Sequence, residues 1–152
     1  MKKRRDAFSM VELIFVIIIL GLLMGIALPR LVETRDDAKL SVEAHNIMAG
    51  AEDIASYAVM HARIKPHLSD MSYAIKHAVE DGVAQDQGGY VVKYKAIGVD
   101  DCVRLKVQNP NQATAVLKIE NGGGGGEDCA HLRDMIDPGA FPIPLHGSRI
   151  SF

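Results

Sequence analysis

The sequence predicts an α+β protein: a long N-terminal helix, first transmembrane and then amphipathic, packed against a small antiparallel β-sheet. Three observations lead there. Residues 8–28 are apolar apart from Ser9 and Glu12, with Gly21 and Gly25 as small residues. From Leu40, apolar or small side chains return at Ala44, Ile47, Ala51, Ile54 and Ala58, which is the period of a helix. Between Tyr90 and Asn121, three runs alternate apolar with polar residues, which is the period of a strand.

The chain has 152 residues, enough for one domain and an anchor. It opens on "KKRR", four positive charges ahead of an apolar run about long enough to cross a bilayer. By the positive-inside rule that end stays cytoplasmic and the body crosses outward. Four Lys/Arg and Asp6 lie within residues 1–7. Without them, 13 basic and 18 acidic side chains remain, a net of −5 against −2 for the whole chain. The body alone therefore makes no overall case for nucleic-acid binding.

Glu12 is the anomaly in this run, because an acid at mid-bilayer costs roughly 2.5–3.5 kcal/mol on an insertion scale. A secretory signal cut near Gly25-Ile26-Ala27 would have a small-x-small site, but Glu12 in its apolar region and Pro29 beyond the site count against it. A plain single-span anchor explains the length and not the glutamate. A third reading explains both. A basic leader ends in a small residue, and "FSMVE" then begins a long apolar helix.

In these residues the chain resembles the type IV pilins and type II secretion pseudopilins, whose class III signal runs Gly, cleavage, Phe, three residues, Glu. Phe8 and Glu12 stand at that spacing, and Ala7 takes the place of the usual Gly, a substitution the prepilin peptidase of the family tolerates. The resemblance covers about the first 40 residues. It implies cleavage between Ala7 and Phe8, N-methylation of Phe8, and assembly through Phe8 and Glu12. One helical turn separates Glu12 from the new amine, so the two charges can neutralise one another within a chain or between neighbours. In the family the glutamate pairs with the amine of an adjacent subunit. A charge matched only in the filament favours correct register. Gly21 and Pro29 stand where such helices often carry weakening residues.

Further elements follow in order. A helix over residues 8–62 would be about 80 Å long, with a kink or local melting expected at Pro29 and Pro66 closing it. Glu43, Glu52, Asp53 and Arg63 lie mostly off its apolar stripe. "SDMSYAIKHAVEDG" reads as a second helix, capped by Ser69 or Asp70 and ended by Gly82, with Met71, Ala74, Ile75, Ala78 and Val79 on one face. "YVVKYKAIGV", "CVRLKVQN" and "TAVLKIEN" read as three strands, the last two joined through "PNQA". Alternation places Val92, Tyr94, Val103, Leu105, Val107, Ala115, Leu117 and Ile119 on the face covering the helix. "NGGGGGED" reads as a flexible loop, and not as a phosphate cradle, since neither a helix start nor a lysine follows it. "SRISF" is a candidate last strand, and there is no internal repeat. The organisation expected is a cleaved leader (1–7), a transmembrane and assembly helix (8–29), its amphipathic continuation (30–64) and a globular α+β head (65–152).

Cys102 and Cys129, exported to an oxidising compartment, are expected to form one disulfide. That bridge would gather Asp100, Asp101, Glu127 and Asp128, whose mutual repulsion would raise their pKa values and which calcium could relieve. No spaced calcium-loop motif is present, so solvated loop acids are the simpler expectation and no cofactor is called for. Lys93, Lys95, Arg104, Lys106 and Lys118 alternate onto the opposite face of the sheet. A solvated face that discourages edge pairing is the simpler reading, and a patch for DNA or another anionic surface the sharper one. Tyr90 and Tyr94 lie nearby, but Tyr94 belongs to the core face, so base stacking gains no support. Six histidines (45, 61, 67, 77, 131 and 146) form no metal pair, and no nucleophile–base arrangement stands out, so the chain is not expected to be an enzyme.

The resemblance implies a pilin-like fold and a structural subunit, major or minor, of a type IV pilus or related filament, serving adhesion, twitching motility or DNA uptake. Its implied partners are other pilin subunits, the prepilin peptidase, the inner-membrane assembly platform and the membrane, with DNA supported only by the lysine face. The precursor would sit in a bacterial inner membrane, and the mature form in a surface pilus or a periplasmic pseudopilus. A type II secretion pseudopilin is the nearest alternative. An uncleaved, single-span, membrane-tethered binding protein is the alternative of another class.

Overall fold

The computed structural model describes residues 9–146, with side chains described for all of these except 26–33. The chain divides into two compact units, Met1–Asp37 and Ala38–Phe152. The elements are α1 (Met10–His61), a 3-10 turn (Leu68–Asp70), α2 (Tyr73–Glu80), β1 (Ala84–Asp86), β2 (Val91–Ala96), β3 (Val99–Gln108), β4 (Val116–Asn121), α3 (Glu127–Met135), a second 3-10 turn (Pro138–Ala140) and β5 (Ile143–Pro144).

In the first unit, every described side chain over residues 9–25 is exposed, and all but Ser9, Glu12 and the two glycines are large and apolar. A helix apolar all round is unstable against water and marks a segment made for another environment. Among the described residues no helix is long and apolar enough to cross a membrane. The expected span, residues 8–28, includes Phe8, which lies outside the described residues, and three positions without described side chains. Helical geometry continues past Gly21 and Pro29, so the local melting expected at Pro29 is not present in this state.

The second unit is an α+β domain in which the last turns of α1 pack with a small antiparallel sheet. Leu40, Ala44, Ile47, Ala51, Ile54 and Ala58 are all buried in one apolar core with Val92, Tyr94, Val103, Leu105, Val107, Ala115 and Leu117. Ile119, the last residue of the expected face, is half-buried against it. Gly50 allows the close approach: a Cβ there would lie 2.8 Å from Ile75 Cγ1 of α2 and 3.5 Å from the Tyr94 hydroxyl of β2. The helix ends at His61, where Ala62 turns left-handed at φ +50°. Pro66, expected to close it, lies four residues further on.

The second predicted helix divides. Leu68–Asp70 is a 3-10 turn, and α2 is capped by Ser72 rather than by Ser69 or Asp70. Ser72 is buried; its Oγ accepts from Ile75 N at 3.2 Å and donates to Asp53 Oδ2 of α1 at 2.8 Å. A residue that both caps a helix and ties it to a neighbour outcompetes one that only caps. Gly82 follows the helix end at φ +75°, as expected.

The sheet is a five-stranded antiparallel meander in the order β1-β2-β3-β4-β5. "YVVKYKAIGV" is two strands, not one: Ile97 and Gly98, at φ +38° and +82°, form a two-residue turn closed by the Ala96–Val99 pair. Asp101, at φ +58°, breaks the alternation of β3, so Cys102 and Val103 are buried in succession. The two outer strands, β1 and β5, have three and two residues. The strand expected at "SRISF" lies outside the described residues.

"NGGGGG" is hydrogen-bonded to its neighbours, and a helix does follow it. Gly122 N donates to Cys102 O at 2.9 Å and Gly124 N to Asp101 O at 2.8 Å. A Cβ on Gly122 would stand 1.8 Å from Asp101 O, and one on Gly124 2.4 Å from Asp100 O. Two of the glycines are thus required by backbone approach. From α3, Arg133 Nε donates to Cys102 O, and Nη2 to the carbonyls of Gly122 and Gly124. The loop is held from both sides.

Candidate functional site: the start of α1

Ser9 is the last non-helical residue before α1. Its Oγ accepts from Val11 N at 3.2 Å, and its own N–H donates to Glu12 Oε2 at 3.2 Å. Leu13 N donates to Ser9 O at 3.2 Å, the first turn of the ladder. This is a variant of the capping box: the N-cap serine takes the N–H two positions on, and the glutamate three positions on takes the serine's own N–H. The exposed Glu12 carboxylate is thereby turned back over the helix N-terminus, where the aligned peptide dipoles favour negative charge. Along the sequence, Ser9 stands out only as a polar exception in an apolar run. The S-x-x-E spacing of residues 9–12 was the signal that identifies it as Glu12's partner. Ala7 and Phe8, the expected cleavage and methylation positions, lie outside the described residues.

The other candidate sites lie in the second unit. Cys102 and Cys129 are joined by a disulfide with Cα atoms 5.2 Å apart. The bridge does not gather the four acids, and among the described residues no group of three or more His, Cys, Asp or Glu could hold a metal. Asp101 accepts from Arg104 Nε at 2.6 Å and also from Arg104 Nη2. Asp100 pairs with Lys95 at 2.9 Å. Glu127 and Asp128 instead occupy the first turn of α3. The expected upward pKa shift is reversed at Asp101: the hydrogen bonds from Arg104 hold its carboxyl down at about 2, helped by the Gly123 N–H.

The lysine face is real in register, but its charge is partly offset. Lys93 stands opposite Arg104, and Lys106 opposite Lys118. Yet Arg104 is also opposite Glu120, whose Oε2 lies 3.6 Å from Lys106 Nζ. Three of the five cations thus have carboxylate partners: Arg104 with Asp101, Lys95 with Asp100, and Lys106 with Glu120. Glu120 shares this face through its alternate position in "TAVLKIEN".

A cleft of about 510 Å³ lies between the end of α1 and the β3–β4 loop, with Arg63, Asn111 and His146 among its lining. Among the described residues, no carboxylate, cysteine or hydroxyl side chain lines it.

The family of the prokaryotic N-terminal methylation motif matches residues 2–28. The chain carries a class III signal. This is the processing and assembly signal of type IV pilins and pseudopilins, and it contains the capping box whole. The α1-and-meander architecture of the second unit is consistent with the pilin fold. No curated protein and no solved structure matches the chain. The class III signal points to a structural subunit that assembles with others of its kind.

Proposed function

We infer that the protein is a subunit of a type IV pilus or related filament. The observation that carries this reading is the class III signal, with Phe8 and Glu12 at the required spacing. The precursor spans a bacterial inner membrane through the apolar start of α1, its basic end cytoplasmic. Prepilin peptidase cuts between Ala7 and Phe8 and methylates the new amine. On the assembly platform, Glu12 meets the Phe8 amine of a neighbouring subunit. In the low dielectric between packed helices, that pairing removes a charge that would otherwise be costly to bury. The exposed apolar side chains over residues 10–24 support the same reading, since association with lipid or sister helices covers them. Gly21 and Pro29 are then positions where the helix yields during assembly.

Mass spectrometry of the assembled protein tests this. A chain beginning at N-methylated Phe8 is the expected result. An intact Met1 terminus, or a start near Leu28, overturns it and leaves a tethered binding protein or a secreted one. Locating the mature chain on surface fibres, rather than in a periplasmic secretion complex, separates a pilin from a pseudopilin. Adhesion, motility or DNA uptake then depends on the machine that extends the fibre. The lysine face adds little to the case for DNA, because three of its cations are already paired.

A further inference from the structure

Two surfaces of the second unit carry charges that the fold does not use, and β3 holds them apart. α3 is fastened to the start of β3, through the Cys102–Cys129 bridge and through Arg133 Nε on the Cys102 carbonyl. The cleft at the end of α1 lies at the other end of β3, against the loop that follows Gln108. From Cys102 to Gln108 the strand runs about 20 Å. Among the described arginines of this unit, Arg104 is held by Asp101 and Arg133 by backbone carbonyls. Arg63, in the cleft wall, has no hydrogen bond or ion pair to a described residue. On α3, Asp134 is exposed and likewise has no ion pair among the described residues. It stands in the last turn of the helix, where negative charge opposes the peptide dipoles. Local stability therefore does not account for it. Beside each charge is an exposed apolar side chain, Met135 next to Asp134 and Val59 in the same cleft wall as Arg63.

We propose that α3 of one subunit docks into the α1-end cleft of another copy, with Asp134 against Arg63 and Met135 against Val59. This rests on reading the chain as a filament subunit. The two surfaces are opposite in charge, and among the described residues the cleft holds no carboxylate of its own to compete. At opposite ends of β3, they cannot meet within one chain. The contact is therefore heterologous, the class that repeats from copy to copy and builds open filaments when its rotation does not close. An arginine–carboxylate pair fixes register, and the apolar neighbours keep water from it. The β3–β4 loop adds a donor: Gln112 Oε1 accepts from the Thr114 hydroxyl at 3.3 Å, which leaves the Gln112 amide NH2 to donate from the cleft wall.

The test uses the full-length chain, assembled and then sheared as filaments. A photo-crosslinking phenylalanine analogue in place of Met135 should join two copies, the second attached through residues 58–64 or 110–115. Arg63→Glu should lower the yield of sheared filaments about tenfold, because like charges then face one another. Asp134→Lys should lower it similarly while leaving the melting of the detergent-extracted chain unchanged or higher, since an acid is gone from the last turn of α3. A residue that mattered only for the fold would move both readings down. Arg63→Glu combined with Asp134→Lys should recover the yield. Wild-type yield from Arg63→Glu, a double variant no better than either single one, or filaments that cross-link elsewhere or not at all overturn the docking and leave the subunit reading intact. A wild-type chain that forms no filaments overturns the subunit reading, and this contact with it.

Discussion

Glu12 and Asp101 show how a partner decides what a carboxylate does. Glu12 is turned toward the Ser9 N–H, yet the proposed filament requires it to reach an amine on another chain. Glu12→Ala should insert in the membrane at least as well as wild type, since a costly charge is gone, and should assemble poorly. The yield of sheared filaments, alone and beside wild type, measures this, and normal yield in both would remove the pairing argument. Asp101 is held at about 2 by Arg104, below its ordinary 3.8. The depressed value means the ionised pair stabilises the fold above about pH 4, and that contribution is lost as pH falls from about 4 through about 2. Asp101→Asn should lower the urea midpoint at neutral pH and flatten its dependence on pH across that acid window. Midpoints that fall in parallel for both proteins would show that the pair contributes nothing.

The glycine run and α2 are elements whose local chemistry is overruled by what packs on them. Read alone, five consecutive glycines suggest freedom. In place, Gly122 lies against the Asp101 carbonyl, while Gly125 has nothing within 4 Å of an added Cβ. Gly122→Ala should therefore be strongly destabilising, because backbone must move, whereas Gly125→Ala should be neutral or slightly stabilising through the unfolded state. Thermal unfolding of the two variants distinguishes a packed loop from a flexible one, for which both would behave alike. Ser72→Ala should cost about 1–2 kcal/mol, because a cap is lost and the part-buried hydrogen bond to Asp53 Oδ2 goes with it. Chemical denaturation reads that change directly.

For the molecule as a whole, the disulfide joins the start of β3 to α3 across a sequence separation of 27. Closing a loop of that size stabilises the folded chain by roughly 3–4 kcal/mol in the chain-entropy model. Either single Cys→Ser variant should melt earlier or be degraded in the exported form. Free reaction of both thiols with an alkylating reagent in native protein would contradict the bridge. Titration of the wild-type chain with duplex DNA should show at most weak, salt-suppressed binding, given the three ion pairs on the lysine face.

The features legible from residue order alone are those set by near neighbours in the chain. The spacing of Phe8 and Glu12 is read within five residues. The six positions from Leu40 to Ala58 and the alternating core face of the strands each repeat along one helix or strand, and there burial follows the period. The S-x-x-E spacing of residues 9–12 is equally local. Other features depend on how the chain is brought together in space. The outer strands β1 and β5, at three and two residues, carry too little pattern to announce themselves and exist because β2 and β4 offer them an edge. Ser72 won the cap of α2 because Asp53, 19 residues earlier, waits beside it. Asp101 met Arg104 rather than the acids beside Cys129, and Glu120 met Lys106, because β3's break in alternation and the β3–β4 register placed them there. Charge pairing and backbone approach are set by distance in space, and the order of residues encodes such distances only through the completed fold.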